Sequence, residues 1–143
     1  MERKVGLSFF LISITFVVCL VLNFPDSLMG NPATFKNAVV TILYIAIWIF
    51  VLSLASRYRS RLLLKYYSVF WLMTLFFAVL TVLVNLEIFN AIWATLFVAL
   101  LITQWYGIEL FVNDFLITAI IISSISLLFL FASLLSLRKA RSI

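Results

Sequence analysis

The chain has 143 residues, 66% hydrophobic and 10% charged, with a mean hydropathy of +1.29. A soluble domain carries about a quarter charged residues to keep a packed core under water-compatible surface, so a soluble catalytic domain is excluded and lipid is expected to solvate most of this one. The formal charge of +5 comes from cations that flank apolar segments, which suits membrane orientation and not nucleic acid.

The first apolar segment runs from Val5 to about Phe24, near the 20 or so residues that cross a hydrocarbon core. Its Met-Glu-Arg-Lys start resembles a signal peptide, but no small-x-small cleavage site follows, so it is read as a retained helix. Pro25, Asp26, Gly30, Asn31 and Pro32 then mark a turn outside the membrane. A second segment spans about 37–56. It is followed by Arg57, Arg59, Arg61 and Lys65, the densest positive charge in the chain. The third covers about 62–84, with Lys65 near its start placed to snorkel to the interface.

The fourth segment is short. Ala91 to Tyr106 would reach only about 24 Å as a helix, against a core roughly 30 Å thick; starting from Leu86 makes it long enough. With neither Gly nor Pro inside it, a continuous helix over 86–106 is expected rather than a re-entrant hairpin. Gly107, Glu109, Asn113 and Asp114 form a polar hinge, and the fifth segment, 115–137, ends at Arg138, Lys139 and Arg141.

The expected fold is therefore all-α, a polytopic transmembrane helix bundle of a single domain with five spans. The cations disagree with that count. With the amino terminus cytoplasmic, five crossings put Arg138, Lys139 and Arg141 outside, against the positive-inside bias. Four spans plus one interfacial or protein-buried segment is the alternative. The hydrophobic cost of leaving segment four in water favours five.

Candidate chemistry is sparse. Histidine is absent and Cys19 is the single cysteine, which excludes an intramolecular disulfide, Cys/His zinc clusters, histidine-ligated haem and His-based nucleophilic catalysis. No catalytic, cofactor-binding or metal-binding residue is expected. Arg57, Arg59, Arg61 and Lys65 are candidates for contact with anionic lipid headgroups or a partner, and Arg57, Arg61 and Lys65 would form a stripe if the helix continued through them. Gln104, Glu109 and Asp114 are the candidate polar site. For Gln104 the default is a place at headgroup depth beside Trp105 and Tyr106. The Ser and Thr residues of segments one and five, including Ala119-x-x-x-Ser123 and Ala132-x-x-x-Ser136, are read as packing positions.

These features predict a non-catalytic accessory or assembly subunit packing against other membrane subunits or itself, in a prokaryotic cell membrane with the amino terminus cytoplasmic. A small oligomeric transporter, channel or lipid-handling protein is the alternative; every Gly and Pro lies in a loop or near a terminus, unlike the broken helices of carriers.

Overall fold

The computed structural model describes residues 2–141, and these are all-helical. Three long helices come first: α1 (Glu2–Met29), α2 (Phe35–Arg57) and α3 (Arg61–Asn85). The fourth apolar stretch comprises a 3-10 turn (Ile92–Ala94), α4 (Thr95–Ile102), a second 3-10 stretch (Thr103–Ile108) and α5 (Glu109–Val112); α6 (Phe115–Arg141) closes the chain. Five helical stretches are long and apolar enough to cross a membrane, as expected. The protein is an integral membrane helix bundle.

Local chemistry accounts for the ends. The turn expected at Phe24–Pro25 comes one helical turn later, because α1 continues through Pro25 and stops at Gly30. There φ is +64°, and the Gly30 and Asn31 amides close back onto the Ser27 and Asp26 carbonyls at 3.3 and 3.0 Å. That is a Schellman end, whose left-handed residue is cheapest as glycine. α2 and α3 end the same way, but with Arg59 (φ 49°) and Glu87 (φ 57°) in the left-handed position.

α3 and α6 form the most extensive helix pair and run antiparallel. Arg61 Nε donates to the Ala140 carbonyl at 3.2 Å, Ser68 and Ser133 share a hydrogen bond of 2.9 Å, and Trp71 stacks on Phe129 at 4.4 Å. Leu80 to Asn85 line one cavity with Phe115. α1 and α2 are antiparallel too, from Lys4 beside Tyr58 (3.3 Å) to Asp26 beside Lys36 (2.7 Å). Small hydroxyl residues sit in these seams as packing positions: Ser56 donates to Ser136 at 2.9 Å, and Ser126 and Ala119 are buried. Without a hydrophobic drive between helices in lipid, such close contacts and hydrogen bonds hold them together.

This pairing decides where the fourth stretch goes. The end of α3 and the start of α6 lie at the same end of the bundle, so the chain between them leaves and returns there. Ala91 and Ala94 pack on Phe77 and Leu80 near the end of α3. Trp105 then reaches Trp71 in mid-bundle (5.8 Å), about 21 Å of helix from Asn85 at 1.5 Å per residue. Its neighbour Tyr106 faces the other way, its hydroxyl donating to the Asn31 carbonyl in the α1–α2 loop. The continuous helix expected over 86–106 is not formed. Residues 86–91 are not helical; Ile92–Val112 is one helical stretch, which tightens to 3-10 at Thr103–Ile108 where Gly107 lies against α2. Glu87 and Glu109, which flank this stretch, consequently lie toward the same end.

An aromatic plug fills the middle. Tyr44, Trp48, Tyr67, Trp71 and Trp105 are all fully buried, and they bring α2, α3 and the 3-10 stretch together. Trp48 stacks on Phe70 at 4.4 Å, and Tyr44 meets Trp105 edge-on at 5.6 Å. Each such pair contributes about 0.5–1.5 kcal/mol beyond area burial.

Candidate functional site

Polar side chains concentrate at two places, one at each end of the bundle. The first surrounds the 3-10 stretch. A change from α to 3-10 hydrogen bonding inside a membrane helix bares backbone groups, which is tolerable only where protein re-satisfies them. Here the Gln104 carbonyl accepts from Asn23 Nδ2 (3.2 Å) and Thr41 Oγ1 (2.8 Å), while the Gly107 amide donates to Thr41 Oγ1 at 3.0 Å. Thr41 thus bridges both sides of the 3-10 stretch. Gly107 lies so close to α2 that an added Cβ would sit 2.5 Å from Ala38 Cα.

Asn37 joins this clamp to the loop. Its amide donates to Asn23 Oδ1 (3.1 Å) and Asp26 Oδ2 (2.9 Å), while its Oδ1 accepts from the Thr34 amide (2.8 Å) and hydroxyl (2.7 Å). All four hydrogen-bonding sites of the side chain are engaged. Lys36 completes the group by pairing with Asp26. Asn37→Leu is expected to cost about 1–3 kcal/mol by leaving the Asn23 carbonyl and the Thr34 amide without partners. The check is the midpoint of SDS-induced unfolding, with Asn31→Leu, an exposed side chain in the adjoining loop, as control.

Of the three residues expected to form a polar site, each does something different. Gln104 is fully buried, not at headgroup depth. Its backbone carbonyl does the anchoring, its Nε2 donates to the Leu100 carbonyl at 2.7 Å, and its Oε1 has no protein partner. Glu109 is half-buried and lines a cavity of about 190 Å³ with Ser27, Thr103, Tyr106 and Phe115. Asp114 caps α6, its Oδ1 accepting from the Ile117 amide at 2.9 Å, the role a short acid fills at a helix start. No hydrogen bond or ion pair links these three side chains to one another among the described residues. Asn23, Asn37 and Thr41 were not singled out from sequence. Their signal was present, as two amides at the edges of the apolar runs on either side of the Pro-containing loop and a hydroxyl one turn inside the second.

The second concentration is cationic. Lys4, the Arg57–Lys65 region and Arg138–Arg141 meet at the opposite end of the bundle, through the Lys4–Tyr58 and Arg61–Ala140 contacts. Arg57, Arg61 and Lys65 do not form a stripe, because α2 ends at Arg57 and a tight turn at 58–60 reverses the chain. Instead Arg57 and Arg59 line a cleft of about 330 Å³ with Ser56, Ser136, Lys139 and Ala140.

No protein-family model, curated protein or solved structure matches the chain. Functional reading therefore rests on the geometry. Among the described residues no group of His, Cys, Asp and Glu is placed to hold a metal ion.

Proposed function

We propose that the protein is a non-catalytic, multi-pass subunit that packs against another membrane protein or a second copy of itself. The observation that carries this reading is the filled interior. Trp48, Trp71 and Trp105, fully buried, occupy the axis along which a substrate would pass. Carriers unwind a helix to bare backbone groups for a substrate, whereas the Gln104 carbonyl of the 3-10 stretch is already taken by Asn23 and Thr41. Meanwhile α1 presents Leu7, Phe10, Val17 and Val21 outward, each more than half exposed. In this reading those faces meet lipid or a partner.

Orientation follows from charge. Nine of the ten Lys and Arg residues belong to the end formed by Lys4, Tyr58 and Ala140, with Lys36 alone at the other. In a prokaryotic cell membrane the cationic end would face the cytoplasm. The chain then crosses four times, with residues 86–114 entering and leaving from the outer side and both helical termini cytoplasmic. This is the arrangement in which every cationic segment obeys the same bias.

The partner is tested by purifying tagged protein from its native membrane in a mild detergent, after crosslinking. A stoichiometric band, either a second protein or a dimer, is the expected result. Recovery as a monomer alone, with and without crosslinker, would contradict the proposal. Ion or solute flux through reconstituted protein would favour the transporter instead.

A further inference from the structure

We propose that the cavity between the end of α1, the fourth stretch and the start of α6 is a binding site for an alkylammonium group. It encloses about 190 Å³, and its lining brings three aromatic rings, Phe24, Tyr106 and Phe115, together with the Glu109 carboxylate and no Lys or Arg. Aromatic faces attract a cation through the ring quadrupole, and cages of such rings are how proteins hold quaternary ammonium ions. The rings of the central plug spend their surface on one another, as in the Trp71–Phe129 stack at 4.4 Å. Phe24, Tyr106 and Phe115 have no ring–ring contact among the described residues, and all three line the cavity. Tyr106 is held in place there by its bond to the Asn31 carbonyl.

Charge supplies a second, independent observation. Asp26, Glu87, Glu109 and Asp114 lie toward this end against one cation, Lys36. Lys36 is taken by Asp26 at 2.7 Å, and Asp114 is engaged by the Ile117 amide. The carboxylate of Glu109, half-buried, has no hydrogen bond or ion pair among the described residues. A charge drawn partly out of water without a counter-charge is costly, and a bound cation removes that cost.

The lining also selects the kind of cation. Calcium takes six or more oxygen ligands, and magnesium a near-ideal octahedron. Here one carboxylate is joined by the hydroxyls of Ser27, Thr103 and Tyr106, of which the last two already donate to the Ala99 and Asn31 carbonyls. The volume is several times the roughly 30 Å³ that a water takes in the liquid, room for an ammonium with its alkyl groups. Phe24 and Phe115 are partly exposed at the bundle surface, so an amine headgroup of a lipid and a small soluble ammonium both have access. The two sources share one recognition chemistry and separate by experiment.

Full-length protein purified in maltoside, an uncharged detergent, would be incubated with radiolabelled choline and the bound label counted. Tetramethylammonium should displace the label, and sodium at equal concentration should not. Phosphatidylethanolamine added to the micelles distinguishes the sources: lipid that displaces choline identifies a headgroup site, and choline binding that the lipid leaves unchanged identifies a soluble ligand. In either case Glu109→Gln should weaken choline binding about tenfold, the effect of losing one charge-assisted contact. Phe115→Leu should weaken it about threefold, the effect of losing one exposed cation–π contact. Glu87→Gln, which alters a carboxylate of the same end outside the lining, should have little effect. Unchanged SDS-unfolding midpoints for Glu109→Gln and Phe115→Leu would assign their losses to binding and not to folding. Equal binding by wild type, Glu109→Gln and Phe115→Leu, displacement by sodium as effective as by tetramethylammonium, or no choline binding by wild type would overturn the proposal.

Discussion

Trp71→Ala is expected to be the most destabilising single substitution in the bundle, lowering stability by about 3–5 kcal/mol, the range for emptying a buried indole site. Trp71 has no exposed surface, and its ring touches Trp48 at 5.2 Å, Trp105 at 5.8 Å and Phe129 at 4.4 Å. It therefore joins α2, the fourth stretch and α6 to α3 at a single level. In lipid the loss is chiefly of packing, because an unfolded helix would keep its indole in an apolar solvent. The void is too central for any one helix to close without separating the others. SDS titration followed by tryptophan fluorescence and by circular dichroism should show the midpoint fall in both signals. Trp93→Ala, an exposed tryptophan, should leave the midpoint near the wild-type value.

Gly107→Ala should produce a different failure. An alanine Cβ would sit 2.5 Å from Ala38 Cα, against backbone that cannot rotate away as a side chain would. Overpacking of this kind costs about 1–3 kcal/mol. The chain escapes the collision only by lifting the 3-10 stretch off α2, which breaks the Gly107–Thr41 bond and the two bonds to the Gln104 carbonyl. The α3–α6 pair does not touch this contact and should survive. Hydrogen exchange should therefore rise across 103–112 while the Ser68–Ser133 region stays protected. Equal exchange in both regions would show that the 3-10 stretch is not clamped by α2.

The two substitutions also mark what sequence could and could not reveal. Lengths of apolar runs located α2, α3 and α6 within a few residues, because crossing a bilayer imposes a length that composition records directly. Ser133 was recognisable as a packing position by type, although its pairing with Ser68 depends on helix register. The course of residues 86–114 was not readable in the same way. A stretch that lies across one end of a bundle has the same apolar composition as one that crosses. Its distinguishing chemistry lies elsewhere in the chain, in Asn23, Asn37 and Thr41, which satisfy the 3-10 stretch from α1 and α2. Likewise, Arg57, Arg59, Arg61 and Lys65 stood out at once, but the cleft needed Ser136 and Lys139 from a helix almost eighty residues away.

In the proposed topology residues 86–114 enter and leave one side, and the carboxy-terminal end of α6 lies with the α2–α3 turn. Single-cysteine labelling tests it most directly. Cys19 is buried and can be replaced by Ala, after which Asn31→Cys, Asn113→Cys and Arg138→Cys each report one location. With a membrane-impermeant thiol reagent on intact cells, Asn31→Cys and Asn113→Cys should label from outside, and Arg138→Cys only after permeabilisation. Labelling of Arg138→Cys from outside together with protection of Asn113→Cys would contradict the account and establish a fifth crossing.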